Sequence, residues 1–176
     1  MERPNGSVWG RVERIAKHRW VDESDARRAF PNDSLARIQA RVAASEQRHS
    51  GEIRICVEAG LPLSYLWGSL RARDRAITLF GKLRVWDTER NNGVLIYLLL
   101  AEHAIEIVAD RGLNARVDAA QWAGITHGMQ QAFRDGQFEA GMNAAVDAVD
   151  ALLTAHFAVR PGDTRSNELP DAPLLG

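Results

Sequence analysis

Strands are predicted where polar and apolar positions alternate and where a short run is apolar throughout. Residues 52–59 alternate strictly between polar and apolar side chains, which is typical of a strand with one buried face. Residues 94–100 are apolar throughout, as expected for a central strand that is covered on both faces. Residues 105–109 are a third, mostly apolar segment, which Asp110-Arg111-Gly112 ends. The pattern therefore predicts three strands.

Apolar side chains at helical spacing predict helices around these strands. In each segment they recur three and four positions apart, which places them on one helical face. The second helix should begin at Asp33-Ser34, because both residues suit an N-cap. The predicted helices cover about residues 9–20, 33–48, 69–83, 122–133 and 138–152.

The order of these elements predicts an α/β fold. Strand one, a helix and strand two form a right-handed crossover, so the two strands should be parallel. A short connection joins strands two and three, which predicts an antiparallel hairpin. Strand two should lie between the other two, because it is apolar on both faces. We therefore predict a three-layer α/β/α sandwich with a small mixed sheet. Residues 31–158 would form the domain, residues 1–30 a basic, tryptophan-containing helical segment, and residues 159–176 an extended tail.

The first predicted helix has two interpretations. Trp9, Val12, Ala16 and Trp20 share one stripe, and arginine and lysine side chains surround it. Such a helix suits a membrane surface or an acidic partner. Tryptophan is commonly buried where a core is available. We therefore expect the stripe to pack on the domain's own core, with both tryptophans buried.

Composition narrows the classes of function. With 22 basic and 23 acidic side chains the net charge is −1, so no general attraction to nucleic acid is expected. Cys56 is the only cysteine, which argues against an internal disulfide and a thiolate zinc site. No signal-like segment begins the chain, and its longest apolar stretch, residues 94–101, is far shorter than the roughly 20 residues of a spanning helix. We expect a soluble, cytoplasmic protein that is not integral to a membrane.

Several familiar catalytic motifs are absent from the sequence. It carries neither a Gly-rich phosphate loop nor a GxSxG serine motif, so nucleotide-driven and serine-nucleophile chemistry are disfavoured. Cys56 falls on the polar side of strand one, and no base is identifiable near it in sequence. A lone cysteine of this kind is more often a small packing residue than a nucleophile.

The predicted topology gathers polar residues at one edge of the sheet, where strands one and two begin and strand three ends. Carboxylate and amide oxygens are the ligands that calcium and magnesium prefer, and an arginine beside them can hold a phosphate. The alternative is that these loops are polar because they are hydrated turns. The residues gathered here are His49, Glu52, Asp87, Glu89, Asn91, Asn92, Asp110, Arg111 and Asp118.

Several short motifs, in a fixed order, resemble one family. They are NGVLIY at residues 92–97, IEIVADRGL at 105–113, Trp122, and FRDGQFEAG at 133–141. Together they resemble the TPM-domain family, also called the TPM phosphatase domain. The resemblance runs from about residue 33 to residue 157, and residues 167–171 are similar to the tail of the family's stand-alone bacterial branch.

The resemblance implies an α/β/α sandwich, a divalent cation at the loop edge, calcium or else magnesium, and phosphatase activity on a phosphorylated substrate. Combined with the polar edge, it makes Asp110 and Arg111 the candidate catalytic residues. The alternative, which the residues alone support, is a non-enzymatic, metal-stabilised module that docks on a membrane-associated protein. The candidate metal ligands are Glu52, Asn91, Asn92, Asp110 and Asp118.

Overall fold

Helices and a four-stranded sheet make up the described part of the chain. The structure, a computed structural model, describes residues 8–159 and 167–176, with side chains from residue 10 onward. A 3₁₀ turn, Leu100–Glu102, joins the second strand to the third. The other elements are, in chain order, α1 (Val8–Trp20), α2 (Glu23–Ala29), α3 (Asn32–Ser45), β1 (Ile53–Glu58), α4 (Leu63–Trp67), α5 (Ala72–Lys82), β2 (Val94–Leu99), β3 (Ala104–Ala109), α6 (Arg111–Asn114), α7 (Ala119–Arg134), α8 (Phe138–Phe157) and β4 (Leu174–Leu175).

β2 lies between β1 and β3. The strand order is β3-β2-β1-β4. β1 is parallel to β2, with Ile53 opposite Val94, and β3 is antiparallel to β2, with Ala109 opposite Val94. All six side chains of β2 are buried. The predicted strand order, parallel crossover and antiparallel hairpin are therefore confirmed.

Two helical layers cover the sheet. One core is formed by the sheet with α2, α3, α7 and α8, and it includes Val42, Phe133 and Val149. The core on the other face is formed with α4 and α5 and includes Leu66 and Leu79. The predicted three-layer α/β/α arrangement is confirmed.

β1 is buried on both faces, although its alternation predicted only one buried face. The polar side chains are covered by α5 and by the C-terminal tail. Arg75 of α5 makes hydrogen bonds to both carboxylate oxygens of Glu58, and Tyr97 donates its hydroxyl proton to Glu58 Oε2 at 2.8 Å. Arg54 donates to two backbone carbonyls of the tail. Polar groups can be buried here because they have hydrogen-bond partners.

The tail adds a fourth strand that the sequence pattern did not predict. Leu174–Leu175 pairs in parallel with β1. The ladder continues at Gly176, whose N–H donates to the Val57 carbonyl and whose carbonyl accepts the N–H of Ala59, both at 2.9 Å. A two-residue strand is too short to show alternation. The tail thereby covers the edge of β1.

α1 does not pack through the apolar stripe that the sequence suggested. Trp20 is 86% exposed and Val12 is 52% exposed, and Ala16 is exposed as well. The expectation that Trp20 is buried is therefore wrong, and the side chain of Trp9 lies outside the described residues. The physical reason is that hydrogen bonds from the opposite side of the helix hold it to the domain.

His18 is the centre of that attachment. Its Nδ1 accepts the backbone N–H of Leu61 at 2.9 Å, so the ring proton resides on Nε2, which lies 2.9 Å from Glu102 Oε1. Arg14 Nε donates to the same carboxylate oxygen at 2.7 Å. Burial would raise the pKa of Glu102, but the hydrogen bonds from Arg14 and His18 outweigh it, and the net pKa is lowered. A side chain at Gly60 would place its Cβ 2.9 Å from the His18 carbonyl oxygen, so the close approach requires glycine.

The attachment of α1 can be tested at His18. His18→Ala leaves the buried Leu61 N–H without its acceptor, which costs about 1–3 kcal/mol. We expect the melting temperature to fall by roughly 3–10 °C, with faster hydrogen exchange across residues 8–20. His127→Ala, at an exposed position of α7, is the control and should melt like the wild type. An unchanged melt and unchanged exchange in His18→Ala would contradict this attachment.

Candidate functional site

The polar loop before β2 is held against the end of β3 by backbone contacts. Gly112 donates its N–H to the Asn91 carbonyl, and Asp110 donates its N–H to the Gly93 carbonyl, both at 2.9 Å. A Cβ at position 112 would lie 2.4 Å from the Asn91 oxygen and 2.8 Å from the Arg90 oxygen. Only glycine allows so close an approach. The predicted meeting of the strand-two start with the strand-three end is thus present in the backbone.

Asp110 carries a buried oxygen without a hydrogen-bond donor. The residue is the N-cap of α6, and its Oδ1 accepts the N–H of Arg111 at 2.6 Å. Its Oδ2 is buried and has no hydrogen-bond partner among the described residues. A buried carboxylate oxygen is unfavourable without a compensating partner. A cation is one such partner.

Asn92 carries a second oxygen of the same kind. It is fully buried; its backbone N–H donates to Thr88 Oγ1 at 3.1 Å, and its Nδ2 donates to Ser50 Oγ at 3.2 Å. The Ser50 hydroxyl in turn donates to the Phe157 carbonyl, which supports this orientation of the Asn92 amide. Asn92 Oδ1 has no hydrogen-bond partner within residues 8–159 and 167–176.

These two oxygens approach the edge from different sides of the ladder. Strand alternation places Asn92 in step with Val94, whose core includes α8. It places Asp110 in step with Val108, whose core includes α5. In the part of the chain that the structure describes, no three His, Cys, Asp or Glu side chains form a cluster suited to a metal. An ion at this edge would therefore combine one carboxylate with amide or backbone oxygens, a ligand set that calcium accepts.

Glu52 and Asp118 have structural partners in this conformation. Glu52 is buried, and its Oε2 accepts the N–H of Leu169 at 3.3 Å, which secures the tail. Asp118 is exposed and caps α7, with its Oδ1 accepting the N–H of Gln121 at 2.8 Å. The role of both residues as metal ligands stays a prediction.

Arg111 lies at the surface beside Asp110. Its Nε donates to Asn91 Oδ1 at 3.2 Å, and Asn91 adopts the left-handed backbone conformation, with φ of 51°, which asparagine tolerates better than most residues. Among the described residues, the two terminal guanidinium nitrogens of Arg111 make no hydrogen bond. They are available for an oxyanion ligand.

His49 and Asp87, two further polar residues of the predicted edge, have partners elsewhere. His49 is buried, with Nδ1 3.0 Å from the Gly51 carbonyl oxygen and Nε2 3.4 Å from Asp150 Oδ1. Asp87 forms an ion pair with Arg84. His49 therefore ties the start of β1 to α8.

A buried ionic cluster was not singled out from the sequence. Glu58, Arg75 and Tyr97 meet on the α5 side of the sheet. Burial, together with the neighbouring Glu58 charge, raises the pKa of the Tyr97 phenol. The sequence signal was a polar position in β1 facing a tyrosine inside an otherwise apolar run. The cluster is enclosed and mutually satisfied, which favours a structural role.

An apolar groove of about 490 Å³ lies between α7 and α8. Ile125, Met129 and Leu152 line it together with small residues. No titratable side chain occurs among the described residues that line it. The groove therefore contains no side chain suited to acid–base or nucleophilic catalysis.

Comparison with known proteins identifies the family of the chain. The family model described as the TPM domain matches residues 24–152. The chain belongs to the TPM-domain family. No curated protein matches it. The matched range of the TPM domain includes Asp110 and Arg111, whereas α1 and β4 lie outside it.

Two solved structures are similar to this TPM-domain protein. The NMR structure of the BA42 protein from the psychrophilic bacterium Bizionia argentinensis has 26% sequence identity and a TM-score of 0.73, covering 84% of this chain and 95% of that one. The N-terminal domain of a P. gingivalis protein has 17% identity and a TM-score of 0.54, covering 81% and 96%. The second likeness shows the fold alone.

The TPM-domain protein contains, in its described residues, no helix that is long and apolar enough to cross a bilayer.

Cys56 is enclosed within the sheet of the TPM domain. It is 1% exposed, and burial, reinforced by the Glu58 charge, raises the pKa of its thiol to about 12. The thiolate, which is the nucleophile, is therefore scarce at neutral pH. The structure favours the packing interpretation of this residue.

The thiol of Cys56 should be unreactive in the native protein. At pH 8 we expect less than about a tenth of it to react with a thiol-specific disulfide reagent within an hour, with full reaction in urea. Because the folded pKa is raised, the thiolate fraction should increase only as pH approaches about 12. Ser64→Cys, at an exposed position, should add one rapidly reacting thiol as a control. Rapid labelling of the native wild type would contradict the enclosure.

Proposed function

We propose that the protein is a divalent-cation-dependent phosphatase that acts on phosphomonoesters. The site would be the edge of the sheet where β2 begins and β3 ends, with Asn91, Asn92, Asp110 and Arg111, which we call the Asp110 edge. The observation that carries the proposal is the buried, donor-free Oδ2 of Asp110 beside the exposed guanidinium of Arg111. A negative oxygen that needs a cation and a positive group that can take an anion thus occupy adjacent residues. Membership of the TPM-domain family supports the proposal without settling the activity.

The residues at this edge fit a calcium or magnesium ion. Asp110 would supply the carboxylate, and the donor-free oxygen of Asn92, which lies toward the other side of the ladder, would reach the same ion only around the edge of the sheet. Asn91, joined to Arg111 by a hydrogen bond, can contribute amide or backbone oxygen. Both ions prefer oxygen ligands, and calcium is the more tolerant of irregular geometry.

The chain's own groups would then divide the work of phosphate recognition. Arg111 would bind two phosphate oxygens through its terminal nitrogens and so orient the ester. Asn91 would hold that guanidinium in place through its contact with Nε. When bound, a divalent ion supplies Lewis-acid polarisation of a phosphoryl oxygen. Cys56 takes no part, because it is buried in the sheet.

Cation binding should stabilise the fold through Asp110. At a hundred times its dissociation constant, calcium that binds only the native state adds about 2.7 kcal/mol, or roughly 5–10 °C in melting temperature for a chain of this size. Asp110→Asn keeps an acceptor for the Arg111 N–H but removes the charge, so we expect the shift to disappear. The measurement is differential scanning calorimetry with and without calcium, magnesium or manganese.

Asp87→Asn is the matched control for the cation experiment. Asp87 lies in the same polar loop but is paired with Arg84 at the surface, so this variant should keep the wild-type calcium shift. A wild-type melt that does not move in any of the three ions at millimolar concentration would end the cation proposal. Equal shifts in Asp110→Asn and the wild type would place the ion elsewhere.

Phosphate recognition should depend on Arg111. We expect the wild type to hydrolyse p-nitrophenyl phosphate only in the presence of a divalent ion. Arg111→Met should lower kcat/KM by about tenfold to a hundredfold, the effect of about 1.4–2.7 kcal/mol of lost transition-state binding, while keeping the calcium shift. Arg90→Met, in the polar loop before β2, is the control and should keep the wild-type kcat/KM. Cation binding without any turnover would refute the phosphatase and leave a cation-binding module.

A second candidate function is supported by a different observation. The outward side of α1 exposes apolar side chains on a helix that lies outside the matched family range. That feature favours the alternative of an interaction module, which would dock on a membrane-associated protein and need no turnover. The cytoplasmic location remains a prediction from the sequence.

A further inference from the structure

α1 is held to the domain in one fixed orientation. His18 is buried and contacts both the Leu61 N–H and Glu102. Arg14, one helical turn earlier, donates to Glu102 and to the carbonyl of Leu70. These contacts define the inward side of the helix, so its remaining surface has a definite direction.

The outward side of α1 is an apolar stripe. At 3.6 residues per turn, Val12, Ala16 and Trp20 lie on the side of the helix opposite His18. All three are exposed, and Trp20 is 86% exposed. An amphipathic helix normally packs its apolar stripe against its own domain, and this stripe faces away from it.

α4 extends the exposed apolar surface. It packs against α1, and its Leu63 and Trp67 are four residues apart, which places them on one helical face. They are 59% and 75% exposed. Most of the large exposed hydrophobic side chains of the described residues therefore belong to α1, α4 and the turn that follows α4. Concentration of this kind indicates a contact surface.

The charge of α1 identifies the kind of surface that fits. The helix carries four arginine or lysine residues and a single acidic one, Glu13, on a chain whose net charge is −1. Lys17 and Arg19 flank the apolar stripe and are exposed. Long basic side chains can reach anionic headgroups while the apolar residues between them enter the acyl boundary.

We propose that the outward stripe of α1, with Leu63 and Trp67 of α4, docks on an anionic lipid bilayer, with α1 lying along the interface. The basic side chains that flank the stripe match the charge of anionic headgroups, and the two helices end in Trp20 and Trp67. Indole side chains favour the interface, where the ring is buried and the N–H stays hydrated. No step of this contact requires a spanning helix.

This docking surface is distant from the Asp110 edge. α1 contacts Leu61, which follows β1, and Glu102, which follows β2. Asp110 lies at the other end of the sheet, where β2 begins. A six-residue strand separates the two by roughly 20 Å. A protein docked through α1 would therefore present the polar edge away from the bilayer, and the two proposals can be tested apart.

The test is co-sedimentation of the full chain with vesicles in EDTA. We expect binding to phosphatidylcholine vesicles that contain about a third phosphatidylserine, weakening as salt is raised, and no binding to pure phosphatidylcholine. Trp20→Ser with Trp67→Ser should lower the partition coefficient by at least roughly tenfold. Both side chains are largely exposed, so circular dichroism and melting should match the wild type.

Two controls separate this contact from other causes. Trp86→Ser removes a half-exposed tryptophan from the Asp110 end of the sheet and should bind like the wild type, as should Asp110→Asn. Wild-type protein that stays in the supernatant, or a double tryptophan variant that sediments unchanged, would overturn the proposal. Self-association that depends on the same tryptophans, without vesicle binding, would overturn it in favour of a second copy of the chain.

Discussion

β2 is covered on both of its faces, and that constraint decides where polar chemistry can occur in this protein. Six consecutive buried side chains require a helical layer above and below the strand. Neither face of the central sheet can then carry a hydrated site. Polar groups are left with two positions: paired inside, as in the Glu58–Arg75–Tyr97 cluster, or displaced to the ends of the strands. The Asp110 edge lies where β2 begins, and the α1 attachment lies where β2 ends. The polar groups at these two ends have different partners.

The two ends differ in what satisfies their polar groups. At the α1 end, Glu102 has two donors, and its acidity is increased by them despite burial. At the other end, Asp110 keeps one oxygen without a donor in the described residues. A hydrogen-bonded carboxylate stabilises the contact it makes, whereas a buried carboxylate oxygen without a donor is satisfied only when a ligand such as a cation binds to it. The family likeness is consistent with this division, because the matched residues include Asp110 but not α1.

The sequence predicted the three long strands because alternation and uniform apolarity are direct consequences of burial. It also predicted that polar loops meet at one edge, since topology alone requires it. It could not predict which oxygens stay without partners. That depends on local caps, such as Asp118 on α7, and on the tail N–H that Glu52 accepts.

The direction of α1 was missed for a related reason. Apolarity suggested which side faces inward, but the attachment is made by an imidazole, a guanidinium and a carboxylate, whose pattern has no periodic signature.

The short pairing of the tail with β1 affects behaviour in concentrated solution. An open strand edge offers unpaired N–H and carbonyl groups that can recruit a second chain. Here the last residues occupy that edge, with Gly176 bonded to Val57 and Ala59. At the other edge of the sheet, Arg73 reaches the carbonyl of Ile107. The molecule therefore carries its own protection against fibril-like assembly. Resistance to aggregation would therefore depend on the ten tail residues 167–176, which contribute little to the hydrophobic core.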